Sequence, residues 1–154
     1  MKVEFWVVGD LKEDYALAGI KRFHKSLMPL CAVQKVIIPE GKRGESEERK
    51  REESQRILKT LNPRDWLILF DERGDNFSSL QFAQKVNFAL NESQGKVVFL
   101  IGGPWGVDDE VRCRANTMVS LSSFVLPHEL ATVVAFEAVY RCFSILKGTK
   151  YHHS

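Results

Sequence analysis

The sequence predicts an α/β fold, a mostly parallel sheet of about five strands with helices on both faces. Three observations predict it. Short β-rich apolar runs alternate with longer amphipathic segments along the 154 residues. Two of the runs, DWLILF and KVVFLI, are almost continuously apolar, as a parallel strand covered on both faces must be. Helix-breaking residues stand at the joins. No internal repeat or linker interrupts the pattern, so residues 1–154 read as one domain of ordinary size.

The elements follow in order. Val3–Val8 (VEFWVV) reads as the first strand, and Lys12–Met28 as an amphipathic helix that Pro29 closes. Ala32–Ile38 is the second strand and Ser46–Leu61 the second helix, stopped by Asn62-Pro63. Asp65–Phe70 is the third strand, followed by a polar loop and a helix over Ser78–Leu90, with Gly95 as breaker. Lys96–Ile101 is the fourth strand. Asp108 is placed to cap a short helix running to Asn116, whose first turn carries Asp109 and Glu110. Thr117–Ser122 is the fifth strand. The last helix, Glu129–Leu146, is apolar on nearly every side: Leu130, Val133, Val134, Phe136, Val139, Phe143 and Ile145. Such a helix must be buried all round, and a single layer of helices leaves its outer face open. A second copy of the chain is the economical cover, which predicts a homodimer built partly on this helix.

Composition removes several function classes. The formal net charge is +2, too small to announce a nucleic-acid binder, although Val111–Ser154 is mildly basic. The stretch Gly41–Arg56 holds six basic and five acidic side chains at ion-pairing spacings. It reads as a solvated helix, with Lys42 and Arg43 in a glycine-flanked loop at its front that can touch phosphate. Cys31, Cys113 and Cys142 are scattered, odd in number and free of any CxxC pair, the pattern of thiols in a reducing compartment. The N-terminus lacks a signal-peptide core and no stretch is long enough to span a membrane, so a cytoplasmic location is expected. His152-His153 has no third ligand at metal spacing, and neither a nucleophile elbow nor a phosphate-binding glycine loop is present, so no metal site is expected.

Open parallel sheets bind ligands beyond the carboxyl ends of their strands. Three such ends stand out: LFDERGDNFSS after the third strand, LIGGPWG after the fourth, and SLSSFVLPH after the fifth. The glycines of IGGPWG either admit a ligand or make a tight turn. The Leu121–Leu126 run, halted by Pro127, either forms a structural corner or offers backbone groups as a polar cradle at a helix start.

Taken together, PEGKRG (Pro39–Gly44), LIGGPWG, SLSSFVLPHEL, FEAVYRCFSILKG and the terminal YHH, in that order, resemble the RlmH family of large-subunit ribosomal RNA pseudouridine N3-methyltransferases, a small branch of the SPOUT class. The likeness spans essentially the whole chain. It implies a C-terminal trefoil knot, a homodimer, no membrane and S-adenosyl-L-methionine as cofactor. It also implies that Phe70, Gly102, Gly103 and the loop Leu121, Ser122, Ser123, Phe124, Val125 and Leu126 hold that cofactor. His128, Glu137, Arg141, Tyr151 and His152 match the family's polar positions and are the implied catalytic candidates for methylating ribosomal RNA in the large subunit or assembled ribosome. Thr132 and His153 stand where the family usually has a basic residue, and Val125 where it often has threonine. Two other readings stay open: action on another RNA such as tRNA, and a non-catalytic cofactor- or RNA-binding module.

Overall fold

The structure, a computed structural model, describes residues 2–153. Five parallel strands form one sheet in the order β2-β1-β4-β3-β5. They are β1 (Val3–Val8), β2 (Val33–Ile38), β3 (Trp66–Asn76), β4 (Val97–Ile101) and β5 (Thr117–Ser120). Between and after them run α1 (Asp14–Leu27), α2 (Ser46–Thr60), α3 (Ser79–Glu92), α4 (Asp109–Arg114) and α5 (His128–Lys147).

Alternate residues of the central strands feed two cores, one on each face. Val3, Phe5 and Val7 of β1 join Ile68, Phe70, Phe99 and Ile101 beneath α1, α3 and α5. Phe5 stacks on Phe136 of α5 with ring centroids 4.0 Å apart. Trp6 and Val8 point the other way, toward Leu67, Leu69, Val98 and Leu100 beneath α2 and α4. Burial on both faces explains why β1, β4 and the first half of β3 carry nearly unbroken apolar runs.

Local chemistry sets the helix starts. Ser78 and Gln81 form a reciprocal capping box on α3, and the Asp108 side chain accepts from the Val111 N–H at 3.3 Å at the start of α4. The start of α1 is held from outside: the Glu129 carboxylate of α5 accepts from the N–H groups of Lys12 and Glu13 at 2.9 and 2.8 Å. This bond fixes where α5 begins relative to the end of β1.

Two sequence expectations change. The third strand does not end at Phe70. It continues through the charged DERGDN segment to Asn76, and after a register shift Asp75 and Asn76 pair with Val119 and Ser120 of β5. The highly charged α2 is not wholly solvated, since Glu53 and Ser54 are buried. Helix α5 packs against α1, α3 and the sheet, and among its partly open positions Leu130, Val134, Ala138, Arg141 and Ile145 follow one another along one side. Among the described residues, no helix is long and apolar enough to cross a membrane.

Candidate functional site

Strands β3 and β4 are neighbours, yet the chain leaves them toward opposite faces. After β3 it enters α3, packed in the first core, and after β4 it enters α4, packed in the second. Such divergence opens a crevice at the carboxyl ends of the two strands. The segment after β5 then runs back from the sheet edge to the start of α5 and walls that crevice. The result is a cleft of about 380 Å³.

Eight of the nine residues expected to hold a cofactor line this cleft: Phe70, Gly102, Gly103, Leu121, Ser122, Phe124, Val125 and Leu126. Ser123 does not line it; its side chain faces solvent because the Ser122 hydroxyl turns the backbone by accepting the Phe124 N–H at 2.9 Å. The Ser120 hydroxyl donates to the Ser122 carbonyl at 3.0 Å, tightening the same corner. Among the described residues, the N–H groups of Val125 and Leu126 have no partner within the chain. Unpaired backbone donors beside apolar walls suit a ligand with a flat, hydrogen-bonding edge.

The glycines of the β4 turn answer mainly to packing. A Cβ on Gly102 would stand 2.9 Å from Val107 Cγ1 and 3.2 Å from the Gly106 carbonyl carbon. One on Gly103 would stand 2.8 Å from Glu53 Oε1. Gly106 adopts φ +78°, which few other residues tolerate. The close turn thereby brings Gly102 and Gly103 to the cleft without a side chain in the way.

His128 is the one catalytic candidate that lines the cleft. Burial holds its pKa below the usual imidazole value, against the opposing pull of the Glu129 carboxylate and the Val8 carbonyl. At neutral pH it is therefore uncharged and able to accept a proton. The other four candidates form a separate cluster, built from the middle of α5 and the tail that follows it. Arg141 Nε donates to Glu137 Oε1 at 2.8 Å, the pairing that their i, i+4 spacing predicts. The Tyr151 hydroxyl donates to the same oxygen at 3.1 Å, and Arg141 Nη1 lies 3.0 Å from His152 Nδ1. The guanidinium sits over the Tyr151 ring at 4.7 Å. Burial and the Glu137 carboxylate raise the Tyr151 pKa, so the phenol stays protonated. Thirteen residues of helix separate His128 from Arg141, roughly 20 Å at 1.5 Å per residue. One chain does not bring these two groups together.

Sequence reasoning missed the polar wall of the cleft. Lys50, Asp71, Glu72, Arg73, Trp105 and Arg112 all line it. Arg112 Nε donates to Asp71 Oδ2 at 3.1 Å and Arg112 Nη1 to Asp109 Oδ1 at 2.9 Å, fixing this wall. Asp71 to Arg73 directly follow Phe70 and were within reach of the strand-end rule. Lys50 and Arg112 come from α2 and α4, and nothing in their local sequence marks them.

Thr132, expected as a lost cation, is fully buried and its hydroxyl donates to the His128 carbonyl at 2.9 Å. It braces the first turn of α5 under His128.

The chain also matches known proteins along most of its length. A family model described as predicted SPOUT methyltransferase matches residues 1–152. The ribosomal RNA large subunit methyltransferase H of Cytophaga hutchinsonii is 37% identical over 155 aligned positions, covering 99% of this chain and 100% of that protein. The ribosomal RNA large subunit methyltransferase H of Bdellovibrio bacteriovorus is 40% identical over 121 positions, 79% of this chain and 78% of that protein.

Proposed function

Because this chain belongs to the SPOUT methyltransferase family, we propose that it methylates N3 of a pseudouridine in large-subunit ribosomal RNA, using S-adenosylmethionine. The observation that carries this reading is the convergence of Phe70, Gly102 and the Leu121–Leu126 segment on one cleft. Apolar Phe70, Leu121 and Leu126 wall it, and unpaired Val125 and Leu126 N–H groups can meet an adenine edge. The residues present fit the group.

When bound, the cofactor supplies an electrophilic methyl on a sulfonium. The chain's own residues do the rest. The β4 turn and the loop after β5 would hold the cofactor in the cleft where the target base can approach it, a proximity effect. Neutral His128 accepts the N3 proton, so that the nitrogen lone pair is free to attack. Arg141 stabilises the resulting imide anion or a nearby phosphate, while Tyr151 and His152 position the base.

That division of labour needs two chains. His128 opens α5 and Arg141 stands roughly 20 Å along it, with the partly open positions Leu130, Val134, Ala138, Arg141 and Ile145 following the same helix. Two copies joined antiparallel along these positions form a dimer in which one copy's tail cluster approaches the other's cleft. The trefoil knot that family membership implies accords with the path of residues 121–127, from edge strand β5 back to the start of α5. A ribosomal substrate sets the work in the cytoplasm.

The test is incorporation of labelled methyl into ribosomes, subunits and free RNA from a strain lacking the modification. Label in large-subunit RNA is expected. Label confined to tRNA overturns the substrate, and calorimetry showing no S-adenosylmethionine binding overturns the cofactor.

A further inference from the structure

A second and larger cavity, about 570 Å³, lies between α1 and the edge strand β2 and takes no part in the reaction described above. Lys21 and Lys25 reach it from α1, one helical turn apart, and Lys35 reaches it from β2. Its floor is apolar, with Val7, Leu17, Ile20 and Ile37. His24 belongs to its wall, with Nε2 2.6 Å from the Val33 carbonyl.

The charge balance of this groove is one-sided. Among the described residues, none of Lys21, Lys25 or Lys35 forms an ion pair. One carboxylate, Asp10, also lines the groove. Three ammonium groups around a common space repel one another, and an incoming anion relieves that repulsion. The long lysine stems can meanwhile rest on the apolar floor with their charges outward.

Position argues for which anion. The groove adjoins β1 and β2, whereas the cleft lies at β4 and β3. Across the sheet, the two pairs of strands are two spacings apart, roughly 10 Å. They flank one landmark, the start of α5. Leu11 of the groove is followed by Lys12 and Glu13, whose N–H groups the Glu129 carboxylate holds, and His128 next to it lines the cleft. An RNA strand with one base in the cleft can therefore extend past the start of α5 toward the groove.

We propose that the lysine-rimmed groove between α1 and β2 is a docking site for the ribose-phosphate backbone of the substrate RNA beside the modified nucleotide. This rests on the RNA methyltransferase reading. It also accounts for how a chain of net charge +2 grips a polyanion: three unpaired cations are gathered in one groove instead of spread over the surface.

The experiment compares the full-length wild type with Lys21→Gln/Lys25→Gln/Lys35→Gln in equilibrium binding across a salt series. The probes are purified 70S ribosomes lacking the modification and protein-free large-subunit RNA. Every phosphate that a lysine neutralises adds about 0.7 to the slope of log affinity against log salt on single strands. Removing the three cations is therefore expected to reduce that slope by about 2 on both probes. Calorimetric affinity for S-adenosylmethionine should match the wild type. The three single variants, each shifting the slope by about 0.7, carry the test should the triple variant misfold. An unchanged slope and affinity overturns the proposal. A reduced slope on ribosomes alone also overturns it, since an acidic ribosomal protein is then the occupant. If the wild type transfers no methyl to large-subunit RNA, the function reading falls, while the slope comparison still decides the groove.

Discussion

At the scale of single residues, Glu53 shows how a buried charge can set the geometry of a site it does not line. Its side chain is almost fully enclosed. One oxygen accepts from the Gly41 N–H at 2.9 Å, and the other has no partner beside Gly103. The carboxyl thereby holds the loop in front of α2 and packs beside the β4 turn at the back of the cleft. Burial raises its pKa, with the Gly41 bond working the other way. A raised folded pKa means that stability is fully present below the ordinary carboxyl value and is lost as pH rises through the folded one. Glu53→Gln is expected to remove that slope and keep the Gly41 bond, whereas Glu53→Leu strands the Gly41 N–H and costs about 1–3 kcal/mol. Thermal melts of the three proteins between pH 4 and pH 8 check both. His128 has the opposite sign. Its lowered folded pKa makes its stability contribution complete above the ordinary imidazole value, and lost as pH falls through the folded one. The same titration should draw the acidic limb of the pH–rate profile, and His128→Gln should abolish that limb along with most of the rate. A variant that keeps the wild-type limb removes His128 as the base.

Elements were legible in the sequence to the extent that their signals were local. The Asp108 cap, the Ser46 start of α2 and the first strand could be read from neighbouring residues alone. Asp108→Ala should accordingly cost about 1 kcal/mol in chemical denaturation, the usual loss for an N-cap, without altering the cleft. The second half of β3 was not legible. DERGDN has the composition of a loop, and it becomes strand because β5 offers an edge to pair with, a tertiary cause that overrides propensity. Gly74 permits this pairing. A Cβ there would stand 2.6 Å from both the Met118 carbonyl carbon and the Val119 nitrogen. Gly74→Ala should therefore push β5 away, lowering stability by about 1–3 kcal/mol through overpacking. Because β5 leads directly into Leu121, S-adenosylmethionine affinity should fall with it. Calorimetry giving wild-type affinity in a destabilised Gly74→Ala protein would separate the strand from the site.

At the scale of the whole molecule, the fold class and the three converging strand ends followed from pattern, because parallel strands must be apolar and ligands gather at their carboxyl ends. The order β2-β1-β4-β3-β5 did not follow, since no run of residues records its neighbour. Nor did the roughly 20 Å between His128 and the Arg141 cluster, which the linear motif LPH…YR…YH compresses into one apparent site. That separation gives the dimer a functional test. Take one variant defective in the cleft, His128→Gln, and one defective in the tail cluster, Arg141→Ala, each inactive alone. If the site is completed by the second copy, a mixed dimer contains one doubly defective site and one intact site. Co-refolding equal amounts yields mixed dimers as about half the population, and so about a quarter of wild-type activity is recovered. If each site lies within one chain, every site in the mixture carries a defect and no activity returns. Recovery should also depend on exchange of subunits, appearing after co-refolding and not after simple mixing of dimers that do not exchange subunits. A mixture that stays inactive, with mixed dimers verified by a tag on one variant, would show that the tail acts on its own cleft or not at all.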